Sequence, residues 1–386
     1  RRHQHFKAFL SLQDPRIPEP SREKYPNWKI RPLLVWMNYI FPMGWLLGLA
    51  ISIDEMTMGF QGRHQDKRRI TYKVEGDGFQ ADALADEGYC YQFYMRNNPQ
   101  PFRYRALSAL HARVMALFDT LKDKYHHIGF DNLYNSAMFC RTAFMHPMKV
   151  LVHGVTQKGR RGIPGCVAQQ ELTNRTAIEQ VRGTVKAAKL EGDDDCPCLI
   201  ASSVYDTKPV HYLSMVTDTI KWIVKERSVY NVDTKRVELM RFLRLNQIDT
   251  YNYGMGNVDI ADQLRGFYRV DIWLCNRKWW WAILFWAFGV CITNAYILYI
   301  KVCDEECVPQ KNRYTHYEFR KEVGLFWLNH ELIERENNKN KRVFSPSMST
   351  LTTDSTSRKK RRLHVERGPY MTDAALLSTG LYGERL

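Results

Sequence analysis

Residues 251–271 read YNYGMGNVDIADQLRGFYRVD and place two carboxylates three residues apart in a segment with helical spacing. Residues three apart lie on one face of a helix, so Asp259 and Asp262 can lean over the same point in space. Two glycines and an asparagine precede the pair as a loop, and the most aromatic run of the chain follows it. Such a pair by itself is more often the solvated edge of a surface helix than a functional site. A functional interpretation therefore depends on partner carboxylates elsewhere in the chain.

The composition indicates a folded protein with a polyanionic partner. The chain has 386 residues, of which 45% are hydrophobic, so it can bury a full core and form two or three domains. A net charge of +15 favours nucleic acid or an anionic membrane surface as the partner, and charge alone does not choose between them. Nine cysteines are too few for a disulfide scaffold, and the opening RRHQHFKAFL lacks the apolar core of a signal peptide. A reducing compartment is therefore expected.

Periodicity and composition divide the chain into five segments. Residues 1–44 are predicted to be helical around a proline-rich connector, and residues 45–155 alternate predicted strands and helices. Residues 156–250 are rich in Gly, Lys and Arg with short predicted strands, which is typical of an insertion. Residues 251–335 are predicted to be mostly helical, and the Ser-, Thr-, Lys- and Arg-rich residues 336–386 to be disordered.

Acidic residues follow two of the predicted strands. An apolar run that begins at Trp45 ends in Asp54, and the short predicted strand 127–130 ends in Asp131. Together with Asp259, these acids form a set of three that can converge at the edge of a mixed sheet. Carboxylates suit Mg²⁺, and two such ions about 3.5 to 4 Å apart can activate a water or a 3′-hydroxyl for phosphodiester displacement. Each acid alone could instead end a strand or cap a helix, and Asp131 or Asn132 is a candidate N-cap for the helix that follows.

Five motifs in order give the chain its resemblance to a known family. They are KIRPLL at 29–34, SIDEMTMGFQGR at 52–63, GFDNLYNS at 129–136, YDTKPVHYLS at 205–214, and residues 251–281 with NAY at 294–296. No single motif is unique, but their order and spacing over about residues 20–330 resemble the catalytic domain of the piggyBac transposases. The resemblance implies an RNase H-like α/β fold, a mixed sheet flanked by helices with an inserted, mostly β subdomain.

The resemblance also assigns residues and domains. It implies that Asp54, Asp131 and Asp259 are the catalytic and metal-binding acids, with Asp262 as an additional metal-binding acid. Residues 1–44 would be the remnant of a helical dimerisation and DNA-binding domain, 45–155 and 251–335 the two parts of the catalytic core, and 156–250 the insertion. Residues 336–386 would be a basic tail.

The implied activity is cut-and-paste transposition. The family nicks DNA at a transposon end, forms a hairpin by attack of the freed 3′-hydroxyl, and joins the end to a TTAA target. The resemblance implies two Mg²⁺ or Mn²⁺ ions in each active site, double-stranded DNA as the partner, and a homodimer. The alternative is a domesticated, catalytically inactive relative that still binds DNA.

Two features depart from the family pattern. The third motif reads GNVD where the family has GGVD, so Asn257 stands where Gly would permit a positive φ. The family's Cys-rich zinc-binding domain has no counterpart, since Cys196/Cys198 and Cys303/Cys307 are the candidate pairs and neither belongs to a four-ligand series. Without a zinc-binding domain to recognise transposon ends, autonomous transposition is in question.

Basic residues follow the first and third acids in sequence, where they could neutralise DNA phosphates next to the cut. Any one of them could equally be an ordinary solvated charge. The predicted DNA contacts are Arg63, Lys67, Arg68, Arg69, Arg265, Arg277 and Lys278. The run RKKRR at 358–362 is typical of a nuclear localisation signal, so a nuclear protein is expected.

The uncharged run 279–300 is long enough to cross a bilayer, with Lys278 and Lys301 at its ends. Against a membrane span stands Asn294 in its interior, and no second span is convincing. The resemblance makes this run a core helix packed on the sheet, so no membrane partner is expected.

Overall fold

The computed structural model of the chain describes residues 10–14, 16–70, 76–157, 159–168, 183–205, 208–217, 219–231, 233–270 and 278–340. The described helices are α1 Arg31–Gly44, α2 Ala109–Phe118, α3 Ala137–Met145, α4 Asn246–Gly254, α5 Asn257–Gly266, α6 Trp279–Glu305 and α7 His316–Asn340. The strands are β1 Ala50–Gly59, β2 Gly78–Asp86, β3 Tyr89–Met95, β4 His127–Phe130, β5 Leu151–Thr156, β6 Val185–Lys189, β7 Ile200–Tyr205, β8 Pro209–Ser214, β9 Trp222–Asn231 and β10 Arg236–Leu245.

Eight strands form one mixed sheet in the order β3-β2-β1-β4-β5-β8-β7-β6. β1, β2 and β3 pair antiparallel, whereas β1, β4 and β5 run parallel to one another. This arrangement of the first five strands is the RNase H-like core. Helices α4, α5 and α6 contact β1 and its neighbours, and α2 packs on β2 and β3. The predicted α/β architecture, a mixed sheet flanked by helices, is confirmed.

Two boundaries near the predicted acids differ from the sequence-based expectation. Asp54 lies in the middle of β1 rather than at its end, because the strand begins at Ala50 and runs on to Gly59. Both faces of β1 are largely buried, so its sequence shows no clean alternation that would mark its limits. Asp131 is not a helix cap, since α3 begins at Ala137 and its N-cap Ser136 accepts a hydrogen bond from the backbone N–H of Phe139.

The segment predicted as an insertion contributes to the central sheet. β8 pairs antiparallel with β5, and β7 and β6 follow it outward. β9 and β10 form a separate two-stranded ribbon. Residues 156–250 are therefore mostly β in their described part, as expected, but three of these strands extend the central sheet. The exact domain boundaries stay a prediction.

Two asparagines bind the backbone of β3, the edge strand at one end of the eight-stranded sheet. Asn38 of α1 donates to the carbonyl of Phe93 at 2.9 Å and accepts from its N–H at 3.0 Å. Asn294 of α6 makes the same two-point contact with Cys90, at 2.9 Å to the N–H and 2.8 Å to the carbonyl. Because an amide side chain copies the donor and acceptor of a neighbouring strand, these contacts occupy an edge that would otherwise be open.

Helix α6 is long and apolar enough to cross a membrane by length and composition, and half of its most apolar window is buried in the protein. Trp281 and Trp286 are fully buried, and Trp286 packs edge-on against Phe93 of β3. These contacts, with the hydrogen bonds of Asn294, are those of a core helix packed on a sheet.

Replacing Asn294 by Leu is expected to lower the free energy of unfolding by about 2 to 4 kcal/mol, because it leaves the buried N–H and C=O of Cys90 without partners. Chemical denaturation measures the change. Asn294→Asp is the informative companion, since it keeps the acceptor and loses the donor. If Asn294→Leu unfolds at the wild-type denaturant concentration, the contact contributes nothing to the edge.

Candidate active site

The structure places Asp54 and Asp131 at the same level of two neighbouring parallel strands. In the pairing of β1 with β4, Ile53 lies opposite Phe130, and the next residue along each chain segment is a predicted acid, Asp54 or Asp131. Neighbouring strands lie about 4.8 Å apart, a separation at which two carboxylates on the same face of a sheet can bind one cation. Asp54 is partly buried within β1, and Asp131 is exposed directly after β4.

The two acids face the side of the sheet that carries α4 and α5. Phe130 packs edge-on against Phe139 of α3 on the other side, and side chains alternate along a strand, so the following residue points away from α3. Tyr251 of α4 lies near both acids: burial raises its pKa, and the charges of Asp131 and Asp54 raise it further. The carboxylates therefore share one face of the sheet.

Gly129 allows the junction between α4 and α5 to approach β4 closely. A Cβ atom at this position would lie 3.3 Å from the Cα of Met255, which stands between the two helices. Asp259 lies in the first turn of α5 just after this junction. The third predicted acid is therefore carried by the helix that begins over the same face as Asp54 and Asp131.

Asp262 and Arg265 form an ion pair on α5 at 3.2 Å. Arg265 is only 4% exposed, and its guanidinium also reaches the carbonyl of Thr57 at 3.5 Å. The prediction of Arg265 as a DNA contact does not fit this position, because a buried and paired guanidinium offers no surface to a phosphate. Asp262 also lies near the thiol of Cys90, whose pKa is raised by burial and then by this charge, so it faces β3.

Asn257 begins α5 and is not among the described residues with a positive φ. The concern that Asn replaces a Gly of unusual backbone conformation therefore does not apply to this structure. The residue is 7% exposed, and the helical conformation it adopts is open to any L-amino acid.

The carboxylate donors of the candidate site fit a hard divalent cation. In the part of the chain that the structure describes, no three His, Cys, Asp or Glu side chains are grouped so as to hold a metal ion. Asp54 Oδ1 accepts from the N–H of Glu55 at 2.7 Å, and Asp131 Oδ1 accepts from the N–H of Asn132 at 2.6 Å. These local bonds orient both carboxyl groups, and oxygen ligands of this kind suit Mg²⁺ or Mn²⁺.

The loop that carries Asp131 is held by residues that the sequence did not single out as functional. Asn135 is fully buried and donates to the carbonyl of Gly154 in β5 at 2.8 Å. Arg160 donates to the carbonyls of Asn135 at 2.6 Å and Leu133 at 3.0 Å. Asn135 belongs to the motif GFDNLYNS, whereas Arg160 lies 24 residues after it, and neither residue type indicates by itself a role in holding this loop.

The predicted DNA contacts other than Arg265 occupy varied positions. Arg63, Arg68 and Arg69 are exposed in the loop between β1 and β2, whereas Lys67 lies 3.6 Å from Asp77. Lys278 is exposed at the start of α6, and Arg277 lies outside the described residues.

His153 of β5 is buried beside Gly129, its partner in the sheet, and packs edge-on against the ring of Tyr251. Neither of its ring nitrogens has a hydrogen-bond partner among the described residues. Burial, with a smaller contribution from His127, lowers the pKa of His153 to about 3. The imidazole is therefore neutral in the folded protein at neutral pH.

The low pKa of His153 predicts a loss of stability in mild acid. Between pH 6.5 and about 3 the unfolded chain binds a proton here that the folded chain does not, so stability falls as the pH falls. From pH 7 to pH 5 the loss from this group is about 2 kcal/mol, at about 1.4 kcal/mol per pH unit below the unfolded pKa. Denaturation curves of His153→Leu are expected to show a correspondingly flatter pH dependence, and an unchanged slope would contradict this account.

Comparison with known proteins supports the family and the fold. Residues 1–296 match the family model described as transposase IS4. A search of curated proteins gave no match. Among solved structures, a cryo-EM structure of piggyBac transposase in a synaptic complex with hairpin DNA matches with a TM-score of 0.68 and 18% sequence identity. The match covers 92% of this chain and 69% of that one, and it supports the expected resemblance at the level of fold. The chain belongs to the transposase IS4 family and has the fold of a piggyBac transposase.

Proposed function

We propose that this chain is a DNA transposase that cuts and joins double-stranded DNA with divalent metal ions bound at Asp54 and Asp131, and with Asp259 as the third ligand. The observation that carries the proposal is the pairing of Ile53 with Phe130, which sets the first two acids level on adjacent parallel strands. Carboxylate oxygens from two strands and an overlying helix would supply ligands for the two metal ions of a phosphodiester displacement.

The chain's own residues would hold and orient the DNA. The exposed Arg63, Arg68 and Arg69 follow β1, which contains Asp54, and offer charge that could neutralise phosphates beside the cut. Mg²⁺ or Mn²⁺, two per site, would supply Lewis acidity to the attacked phosphate and lower the pKa of the attacking water or 3′-hydroxyl. Asp262 is better placed to hold Arg265, and with it α5, than to bind a metal directly.

The wider proposal follows the transposase fold. The similar piggyBac structure is a synaptic complex with hairpin DNA. We propose that DNA ends are a partner of this chain as well. A TTAA target, a homodimer and a nuclear location belong to the same proposal. The net charge of +15 supports a nucleic-acid partner.

Nicking of a supercoiled TTAA-containing plasmid tests the proposed activity. The full chain is incubated with the plasmid in Mg²⁺, in Mn²⁺ or with EDTA, and open-circle product is measured. A metal-dependent open-circle product supports the proposal. Salt-sensitive plasmid binding without nicking would support the catalytically inactive DNA-binding protein instead. If the chain neither binds nor nicks the plasmid, both proposed functions are overturned.

A further inference from the structure

A buried hydrogen-bond network lies behind the two acids, on the face of the sheet that carries α2. Its centre is Asp82 of β2, which is fully buried. The carboxylate accepts from Arg96 Nε at 2.8 Å, from Arg113 Nε at 2.6 Å and from the hydroxyl of Tyr134 at 2.8 Å. A buried carboxylate with three donors is fully satisfied, and such a network holds its members in one arrangement.

Arg96 extends this network to β1 and to the loop after β4. Its Nη2 donates to Glu55 at 3.0 Å and to the hydroxyl oxygen of Tyr134 at 2.9 Å, and its Nη1 donates to Gln80 at 3.0 Å. The guanidinium is planar and offers donors at fixed angles, so the groups it joins are held at fixed separations. Arg113, in contrast, has Asp82 as its described ion-pair partner.

The residues that Arg96 joins are close in sequence to the two acids. Glu55 follows Asp54 directly and points to the opposite face of β1, where it pairs in register with Asp82. The N–H of Tyr134 donates to the carbonyl of Asp131 at 3.2 Å, so the tyrosine belongs to the same tight turn as that acid. One guanidinium thus contacts a side chain from each of the two segments that carry a predicted metal ligand.

We propose that Arg96 is a positioning residue that sets the distance between Asp54 and Asp131 through Glu55 and Tyr134. The inference rests on the proposed function, because it assigns the role of the network to the metal ligands. Arg96 lies on the face of the sheet opposite Asp54 and Asp131, so it would act on the two acids indirectly. Its loss would let the Asp131 turn shift relative to β1, while both carboxylates would still be present.

Metal binding measured without DNA separates positioning from general stability. Mn²⁺ is titrated into the wild-type chain, Arg96→Gln, Arg96→Lys and Arg113→Gln, and free Mn²⁺ is read by electron paramagnetic resonance. Arg113→Gln is the matched control, because it removes an equally buried bond to Asp82 but leaves Glu55 and Tyr134 in place. We expect Arg96→Gln to weaken Mn²⁺ binding about 10- to 100-fold, as is usual for groups that orient metal ligands, with partial recovery in Arg96→Lys. Arg113→Gln is expected to change the affinity less than about threefold.

Three results decide between the readings. Suppose that Arg96→Gln and Arg113→Gln have the same melting temperature as each other and weaken Mn²⁺ binding by the same factor. The network then stabilises the fold as a whole, and Arg96 has no positioning role. If Arg96→Gln does not fold, Tyr134→Phe takes its place: weakened binding supports the inference and unchanged binding overturns it. If wild-type protein binds no Mn²⁺, or Asp54→Asn binds as tightly as wild type, the proposed metal site itself fails.

Discussion

Replacing Asp131 by Asn is expected to lower the rate of metal-dependent DNA nicking by about a thousandfold or more, since a lost metal ligand removes several kcal/mol of transition-state stabilisation. Asn keeps the size of the side chain and its acceptor oxygen for the N–H of Asn132, but it removes the charge that holds a cation. Because Asp131 is exposed and caps no helix, the melting temperature should not change.

Asp123→Asn is the matched control for this experiment. Asp123 is also exposed and lies before β4, at the opposite end of the strand from Asp131, so the same chemical change is made away from Asp54. Plasmid nicking is measured over a series of Mn²⁺ concentrations for both variants and for Asp259→Asn. If Asp131→Asn nicks DNA at the wild-type rate, the pairing of β1 with β4 that sets Asp54 and Asp131 at the same level has no role in catalysis. Wild-type nicking by Asp259→Asn would remove only the third ligand from the proposal.

Two elements that carry candidate acids could be predicted from local sequence patterns. The strand 127–130 and the acid that follows it were evident from a short apolar run that ends in Asp131, and the structure has β4 at His127–Phe130. The approximate position of α5 followed from its helical spacing. The limits of β1 could not be predicted, because a strand buried on both faces carries no alternation and the apolar residues from Trp45 to Leu49 continue its pattern outside the sheet.

The roles of charged residues were beyond prediction for a different reason. Arg265 and Arg63 have the same side chain, but the first is buried against Thr57 and the second is exposed. Burial depends on which elements pack together, and the partners of Arg265 lie as far as 208 positions away in sequence. Direct hydrogen bonds to Asp82 come from residues up to 52 positions away, and no spacing in the sequence indicates that these residues meet.

Replacing Asp82 by Leu is expected to destabilise the protein by about 3 to 5 kcal/mol, the usual cost of removing one partner from a buried ion pair. The substitution leaves the guanidinium of Arg113 buried without its carboxylate, and Arg96 with Glu55 as its remaining described carboxylate partner. Chemical denaturation measures the loss. Glu226→Leu is the surface control: Glu226 pairs with Arg241 on the exposed β9–β10 ribbon, and such pairs contribute about 0 to 1 kcal/mol.

The double variant Asp82→Leu with Arg113→Met separates the cost of an unpaired charge from the cost of a cavity. Methionine removes the stranded guanidinium and fills similar space, so the double variant should recover part of the stability that Asp82→Leu loses. Arg113→Met alone should destabilise the protein, because it leaves Asp82 one donor short. If the two losses simply add, the two side chains are energetically independent and the network does not act as a unit. A double variant more stable than Asp82→Leu would show instead that the buried charges of Asp82 and Arg113 are energetically coupled.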